Sequence, residues 1–148
     1  MLTASSGKKS PDWRGGGICS SCHLSSRIRA CVHLLRDKVR PAASAEIFVT
    51  EQLTGFYRWL YKTFPRTVGS EYLQDDYLPG QTNAAGIRHE DLTKLSFSDE
   101  SKDAIISLEV CEHIPNFRAA FTECARVLRP GGKLLLSVPF HGGPTHLV

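Results

Sequence analysis

Three acidic residues fall where short apolar runs end: Glu71, Asp91 and Glu109. An ionised carboxylate is a pure acceptor, and its charge strengthens the hydrogen bonds it takes from a ligand's hydroxyls or ammonium groups. In a dinucleotide-type fold, a carboxylate about 20 residues past the first strand turn accepts from ribose hydroxyls. Glu71 stands at that spacing from Glu51, in the turn after the first such run. Acids at strand ends also cap helices and solvate turns, but three in succession point to a ligand. His113, four residues beyond Glu109, is the one histidine in the same region with proton-transfer chemistry to offer.

A second group is Cys19-Ser-Ser-Cys22, half of a tetrahedral zinc site. A complete site needs two more ligands. His23 is adjacent to Cys22 and ill placed to share its metal. Cys31 and His33 are two apart on an expected helix and do not face together. Zinc at Cys19 and Cys22 stands beside the alternative of inert thiols. A redox role needs a thioredoxin-like setting that the sequence lacks. Cys111 and Cys124 read as core residues.

The elements that position the carboxylates follow from periodicity. Ala104–Leu108 and Leu134–Val138 are short and apolar at almost every position, as strands buried on both faces are. Between them Phe117, Phe121, Cys124 and Leu128 recur at helical spacing, with Ala120 and Val127 beside them. That stripe predicts a helix facing the sheet, with Arg118, Glu123, Arg126 and Arg129 toward water. Asn116 can cap its start, and Pro130-Gly131-Gly132 stops it.

Upstream, Ser25 or Ser26 starts a helix through Ile28, Cys31, Val32, Leu35 and Val39, which Pro41 ends. Glu46–Thr50 reads as a strand and Leu53–Phe64 as a helix with Leu53, Phe56, Tyr57, Leu60, Tyr61 and Phe64 on one face. Thr67–Glu71 reads as a second strand, residues 72–86 as a loop, and Ile87–Asp91 as a third strand on which His89 faces outward. The order predicts an α/β, Rossmann-like, doubly wound and mostly parallel sheet, incomplete at its C-terminal edge. Ligands of such sheets bind beyond the carboxyl ends of the strands.

The chain of 148 residues is long enough for one core, and its 41% apolar and 22% charged residues are ordinary for a globular protein. No apolar run approaches a membrane span. The start lacks the apolar centre of a secretory signal, and five unevenly spaced cysteines do not form a disulfide framework, so the reading places the chain in the cytoplasm. Residues 1–40 carry eight Lys or Arg against two Asp. We therefore expect residues 1–41 to form a flexible basic arm, disordered over 1–17, and residues 42–148 to form the sheet domain. With no interleaved aromatics beyond Trp13, the arm reads as a solvated segment and not as a nucleic-acid surface.

From Gly86 to Phe140 the chain resembles class I S-adenosylmethionine-dependent methyltransferases, in particular the type 11 methyltransferase domain. Glu90-Asp91-Leu92 with Leu95-Ser96-Phe97 is similar to that family's adenine-holding segment. Asp103–Leu108 is similar to the strand after it, and Glu109 with Glu112-His113-Ile114 to its acidic turn. Leu128-Arg-Pro-Gly-Gly-Lys-Leu134 is similar to its late signature.

The resemblance implies S-adenosyl-L-methionine as cofactor, held by Glu51, Gly55, Glu71, Asp91, Leu92, Ser107, Leu108 and Glu109. It implies methyl transfer to an acceptor that the sequence does not name, a small or saccharide-type molecule among the choices. His113 would be a base or a residue that packs the turn. Two departures stand against this. The glycine-rich first turn is reduced to Thr50-Glu-Gln-Leu-Thr-Gly55, which opens the alternative of a non-catalytic scaffold that has lost its cofactor. The chain also ends before the family's last strands. It thus reads as a fragment or a decayed copy, with an apolar sheet edge free for self-association. His141 and His146 fall in that tail.

Overall fold

The structure is a computed structural model that describes residues 2–4, 17–74 and 76–139. The expectations for residues 5–16, with Trp13, and for the tail that holds Phe140, His141 and His146 lie outside the described residues.

Four parallel strands carry the molecule: β3 (Ile47–Val49), β4 (Thr67–Gly69), β5 (Lys102–Leu108) and β6 (Leu128–Ser137), in spatial order β4-β3-β5-β6. Before them, β1 (Leu2–Ala4) pairs antiparallel with β2 (Gly17–Cys19). Composition alone predicts disorder over this stretch. The pairing runs through main-chain bonds, to which composition is a poor guide.

The sheet is covered on both faces, as expected. Side chains alternate across it. Ile47, Val49, Ala104 and Ile106 face α1 (Ser26–Leu34) and α2 (Gly55–Thr63), where they bury with Cys31, Leu35, Phe56 and Leu60. Phe48 and Ile105 face α3 (Phe117–Val127) and pack with Leu92, Leu95, Ala120, Cys124 and Val127. Each fully buried large apolar side chain contributes about 1.5–3 kcal/mol. Leu35 is fully buried, so the helix of the basic N-terminal segment is packed into the core. Ser25 caps that helix by accepting from the Ile28 amide at 3.4 Å, and a π-helical turn, Leu35–Val39, ends it at Arg40 with φ of 51°.

Several details differ from the sequence reading. The third strand over 87–91 shrinks to one parallel bridge, Glu71 to His89. Residues 80–89 bond to one another instead: the His89 amide donates to the Gln81 carbonyl at 2.7 Å and the Gly80 amide to the His89 carbonyl at 2.8 Å. Those groups are then lost to any neighbouring strand. His89 faces inward, not out. It is buried, its Nδ1 accepts from the Leu73 amide at 2.9 Å, and Tyr72 and Tyr77 lie against its ring.

The apolar stripe of α3 is rotated. Ala120, Cys124 and Val127 are buried, while Phe117 and Phe121 are exposed and meet edge to face. Glu123 and Arg126 turn toward the chain, not toward water: Glu123 accepts from the Leu95 amide at 2.9 Å, and Arg126 donates to the carbonyls of Leu95 and Phe97. In α2, Thr54 is the cap, and Leu53 and Tyr61 leave the expected face for solvent. Strand β6 begins at Leu128, six residues early, because Arg129–Gly132 runs through a register shift opposite Lys102 and Ala104, with Gly131 at φ of 82°.

Candidate functional site

Parallel strands bring their carboxyl ends to one edge. The Thr50 amide donates to the Ile106 carbonyl at 3.0 Å, the Ser70 amide to Val49 at 3.2 Å and the Glu109 amide to Ser137 at 2.8 Å. Glu51, Glu71 and Glu109 therefore leave neighbouring strands at the same side of the sheet. Beside them lies a cavity of about 460 Å³, lined by Phe48, Thr50, Ser70, Tyr72, residues 90–93, Val110 and residues 113–116.

Of the residues that the sequence singles out, Asp91, Leu92 and His113 line this cavity. Asp91 closes its own turn, its Oδ1 accepting from the amide and hydroxyl of Thr93, both at 2.8 Å. Leu92 presents a buried apolar wall. His113 sits on a short 3-10 turn, Cys111–His113, with its side chain 78% exposed and Nε2 4.0 Å from Glu112.

Glu71 turns its Oε1 onto the amides of Gln52 and Leu53, at 2.8 and 3.1 Å. It thereby fixes the loop after β3, the place where glycines were expected. Two amides that a wider loop would leave to water are satisfied by a side chain of the next strand end.

Glu51 lies in that loop. Its Oε1 is buried and has no hydrogen-bond partner among the described residues. Burial raises its pKa, the bond from Thr54 opposes, the nearby Glu71 charge adds to the rise, and Arg27 opposes again.

Ser107 does not open to the cavity: it is buried, its hydroxyl 3.4 Å from Thr50 Oγ1 and 3.7 Å from Cys111 Sγ. Leu108 packs against the core on the α1–α2 face. Gly55 lies elsewhere, in an open cleft between α1 and α2 with Arg29, Arg36 and Arg58. A Cβ there would meet nothing closer than Arg58 at 3.8 Å. Gly69 is the glycine the packing demands, because a Cβ would come within 2.7 Å of the Glu51 carbonyl.

Glu109, at φ of 55°, forms an ion pair with Arg27 from the first turn of α1. Sequence reasoning missed Arg27 as a site residue. Its only signal was position, within the expected helix that precedes the sheet. Glu90 was also missed as a buried group. It accepts from Arg88 Nε at 2.8 Å and the Ser96 amide at 2.9 Å, so it braces the cavity wall.

Cys19 and Cys22 share a turn. The amides of Cys22 and then Ser21 lower the Cys19 thiol to a pKa of about 7. Among the described residues, no group of three or more His, Cys, Asp or Glu side chains is placed to hold a metal ion. Cys31 and Cys124 are core residues whose thiols burial pushes up to about 12.

The methyltransferase-domain family profile matches residues 57–136. A "Probable S-adenosylmethionine-dependent methyltransferase" of Mycolicibacterium smegmatis is 43% identical over 53 residues, 36% of this chain and 21% of its own length. A ubiquinone biosynthesis O-methyltransferase of Dechloromonas aromatica is 49% identical over 35 residues, 24% of this chain and 15% of its own. The stretches matched thus span about a fifth or less of these relatives. In fold, the chain is similar to a phosphoethanolamine N-methyltransferase of Haemonchus contortus solved with phosphomonomethylethanolamine and S-adenosylhomocysteine. The TM-score is 0.53 at 18% identity, over 83% of this chain and 30% of that one.

Proposed function

Because more than half of its length matches the methyltransferase-domain profile, this chain belongs to the S-adenosylmethionine-dependent methyltransferase family, and we propose that it holds S-adenosyl-L-methionine at the carboxyl edge of its sheet for methyl transfer to a small-molecule acceptor. The observation that carries this reading is the buried, unpartnered Oε1 of Glu51. An unsatisfied buried acceptor is costly, and a ligand ammonium group supplies the missing donor together with the opposite charge.

The other roles are proposed on position. Asp91 and Leu92 border the adenosine end, since they line the cavity. Glu71 shapes the loop with one carboxylate oxygen and offers the other to ribose hydroxyls. Glu109, Ser107 and Leu108 form the floor between the strand ends, Glu109 by holding Arg27 and the other two by packing. Gly55, which lines the other cleft, is left with a helix-start role.

The bound cofactor supplies an electrophilic sulfonium methyl, so the protein has to align the acceptor and exclude water. Val110, Ile114 and Pro115 give the cavity an apolar wall for that purpose. His113 stands at the rim of the same cavity with an exposed imidazole, within reach of an acceptor hydroxyl or amine as a base. The cytoplasm is proposed as compartment on the free cysteines. Among the described residues no helix is long and apolar enough to cross a membrane. Leu136 and Val138, at the β6 edge, supply the surface for the self-association that the sequence suggests.

The test is thermal unfolding with and without S-adenosylhomocysteine. A ligand that binds only the folded state at 100 times its Kd stabilises by about 2.7 kcal/mol and raises Tm by several degrees. An unmoved Tm, with no heat of binding by calorimetry, would leave the scaffold reading in its place.

A further inference from the structure

The cleft between α1 and α2 is separate from the cavity at the carboxyl edge, and no residue lines both. It holds about 840 Å³, within the range of small-molecule sites. Three arginines line it: Arg29 from α1, Arg36 from the π-helical turn that ends α1, and Arg58 from α2. All three are exposed, and among the described residues their guanidinium groups have no hydrogen bond and no ion pair. The arginines elsewhere are spent. Arg27, Arg66, Arg88, Arg126 and Arg129 each pair with a carboxylate, Arg40 donates to the Asp37 carbonyl, and Arg118 lies over the Phe117 ring. The unpaired guanidinium groups of the described residues are thus gathered in one place. The acid beside them, Asp37, is engaged by His33 at 3.1 Å.

Like charges gathered without acids repel one another, weakly where water screens them, and an anion reverses the sign of that interaction. A guanidinium is a planar fork that matches phosphate or carboxylate oxygens two bonds at a time. Seven residues separate Arg29 from Arg36, two helical turns and about 10 Å along the axis, so both project from one face. An anion with a single charged group would engage part of this row. A chain of phosphates, with oxygens along its length, suits the whole of it. Trp59 lines the same cleft and is held nearly parallel to Phe56, at 11° with ring centroids 6.0 Å apart. Together with Leu24 and Val32 it gives the cleft an apolar wall against which a planar ring stacks.

We propose that the cleft between α1 and α2 binds a nucleoside polyphosphate, its phosphate chain on Arg29, Arg36 and Arg58 and its base against Trp59. The site is distinct from the one proposed for methyl transfer, and it stands or falls without that reading.

Calorimetry on the full chain compares guanosine triphosphate, tripolyphosphate and guanosine. Guanosine triphosphate is expected to bind at least fivefold tighter than tripolyphosphate and at least fiftyfold tighter than guanosine. Arg29→Gln, Arg36→Gln and Arg58→Gln replace exposed side chains, and each is expected to weaken both phosphate compounds at least threefold. Trp59→Leu is expected to bring guanosine triphosphate down to the affinity of tripolyphosphate and to leave the latter within twofold. The arginine variants carry the test if the Trp59 variant does not fold. Absence of binding at millimolar guanosine triphosphate overturns the proposal, as do arginine variants that bind like the unchanged protein. Tripolyphosphate that binds as tightly as guanosine triphosphate removes the nucleoside from the assignment. Displacement of guanosine triphosphate by S-adenosylhomocysteine would put the nucleotide in the other cavity. Tighter binding of a single-stranded oligonucleotide without a terminal polyphosphate would make the cleft a nucleic-acid surface instead.

Discussion

Glu51 is destabilising where it stands. A carboxylate stripped of water without a full set of partners resists ionisation. Its folded pKa is raised above the unfolded value, so its contribution is harmless below the unfolded pKa and turns into a cost as pH rises through the folded one. Glu51→Gln removes that cost. We expect Tm of the ligand-free variant to exceed that of the parent by a few degrees near pH 8, and the difference to shrink toward pH 4. The same change should cost about 2–3 kcal/mol of cofactor affinity, or about fiftyfold. Scanning fluorimetry across pH with and without S-adenosylhomocysteine reads both effects. A variant less stable than the parent near pH 8 would mean that the bond from Thr54 and the charge of Arg27 outweigh the burial of Glu51. None of this is legible in the sequence, which supplies an acid after a strand but says nothing of its burial or of Arg27, which reaches the same edge from α1.

At the scale of elements, Arg126 joins α3 to the segment between the strand ends. It donates to Leu95 at 3.0 Å, to Phe97 at 2.9 Å and to Asp99 at 2.6 Å, and it pairs with Glu123 at 2.7 Å. Two of these acceptors are main-chain carbonyls of the segment that places Leu92 and Leu95 in the core. Arg126→Ala should destabilise by about 2 kcal/mol, measured by urea unfolding. A loss under about 0.5 kcal/mol would class the residue with ordinary surface pairs.

The sequence located α3 correctly and placed Ala120, Cys124, Val127 and Leu128 on its sheet-facing side, but it wrongly added Phe117 and Phe121 to that face. Spacing alone does not separate Phe117 and Phe121 from Ala120, Cys124 and Val127, so all of them read as one stripe. The sheet prefers the small ones, because Leu92 and Leu95 already fill the space beside Phe48 and Ile105. β3 and β5 were legible because each is apolar and buried on both faces, whereas β6, expected to be buried likewise, leaves Leu136 exposed at the sheet edge. Ile87–Asp91 was misjudged because a hairpin with Gln81 and Thr82 uses the same β-like pattern and leaves one bridge to Glu71. The departure at the glycine-poor turn was legible, but the two hydrogen bonds by which Glu71 fixes that loop were not.

For the whole molecule, the two edges of the sheet respond to acid in opposite directions. At the edge away from the site, Asp103 accepts from Arg129 at 2.7 Å and from the Glu46 amide at 2.7 Å, and its pKa is lowered chiefly by Arg129. Glu123 is lowered chiefly by Arg126. Folded values below the unfolded ones mean stability present above the ordinary carboxylate range and lost as pH falls through the depressed values. Thermal stability should therefore decline below about pH 4, and Asp103→Asn with Glu123→Gln should flatten that decline while lowering Tm at neutral pH by a few degrees. An unchanged slope would assign the acid loss to other groups.

The ion pair from Arg27 to Glu109 joins the helix before the sheet to the turn after β5. In evolutionary terms, it makes the two segments heritable as a unit. A reversal of charge at Arg27 strands Glu109, and a reversal at Glu109 strands Arg27, so each change lowers fitness until the other follows. A lineage could cross that valley by exchanging the charges at both positions.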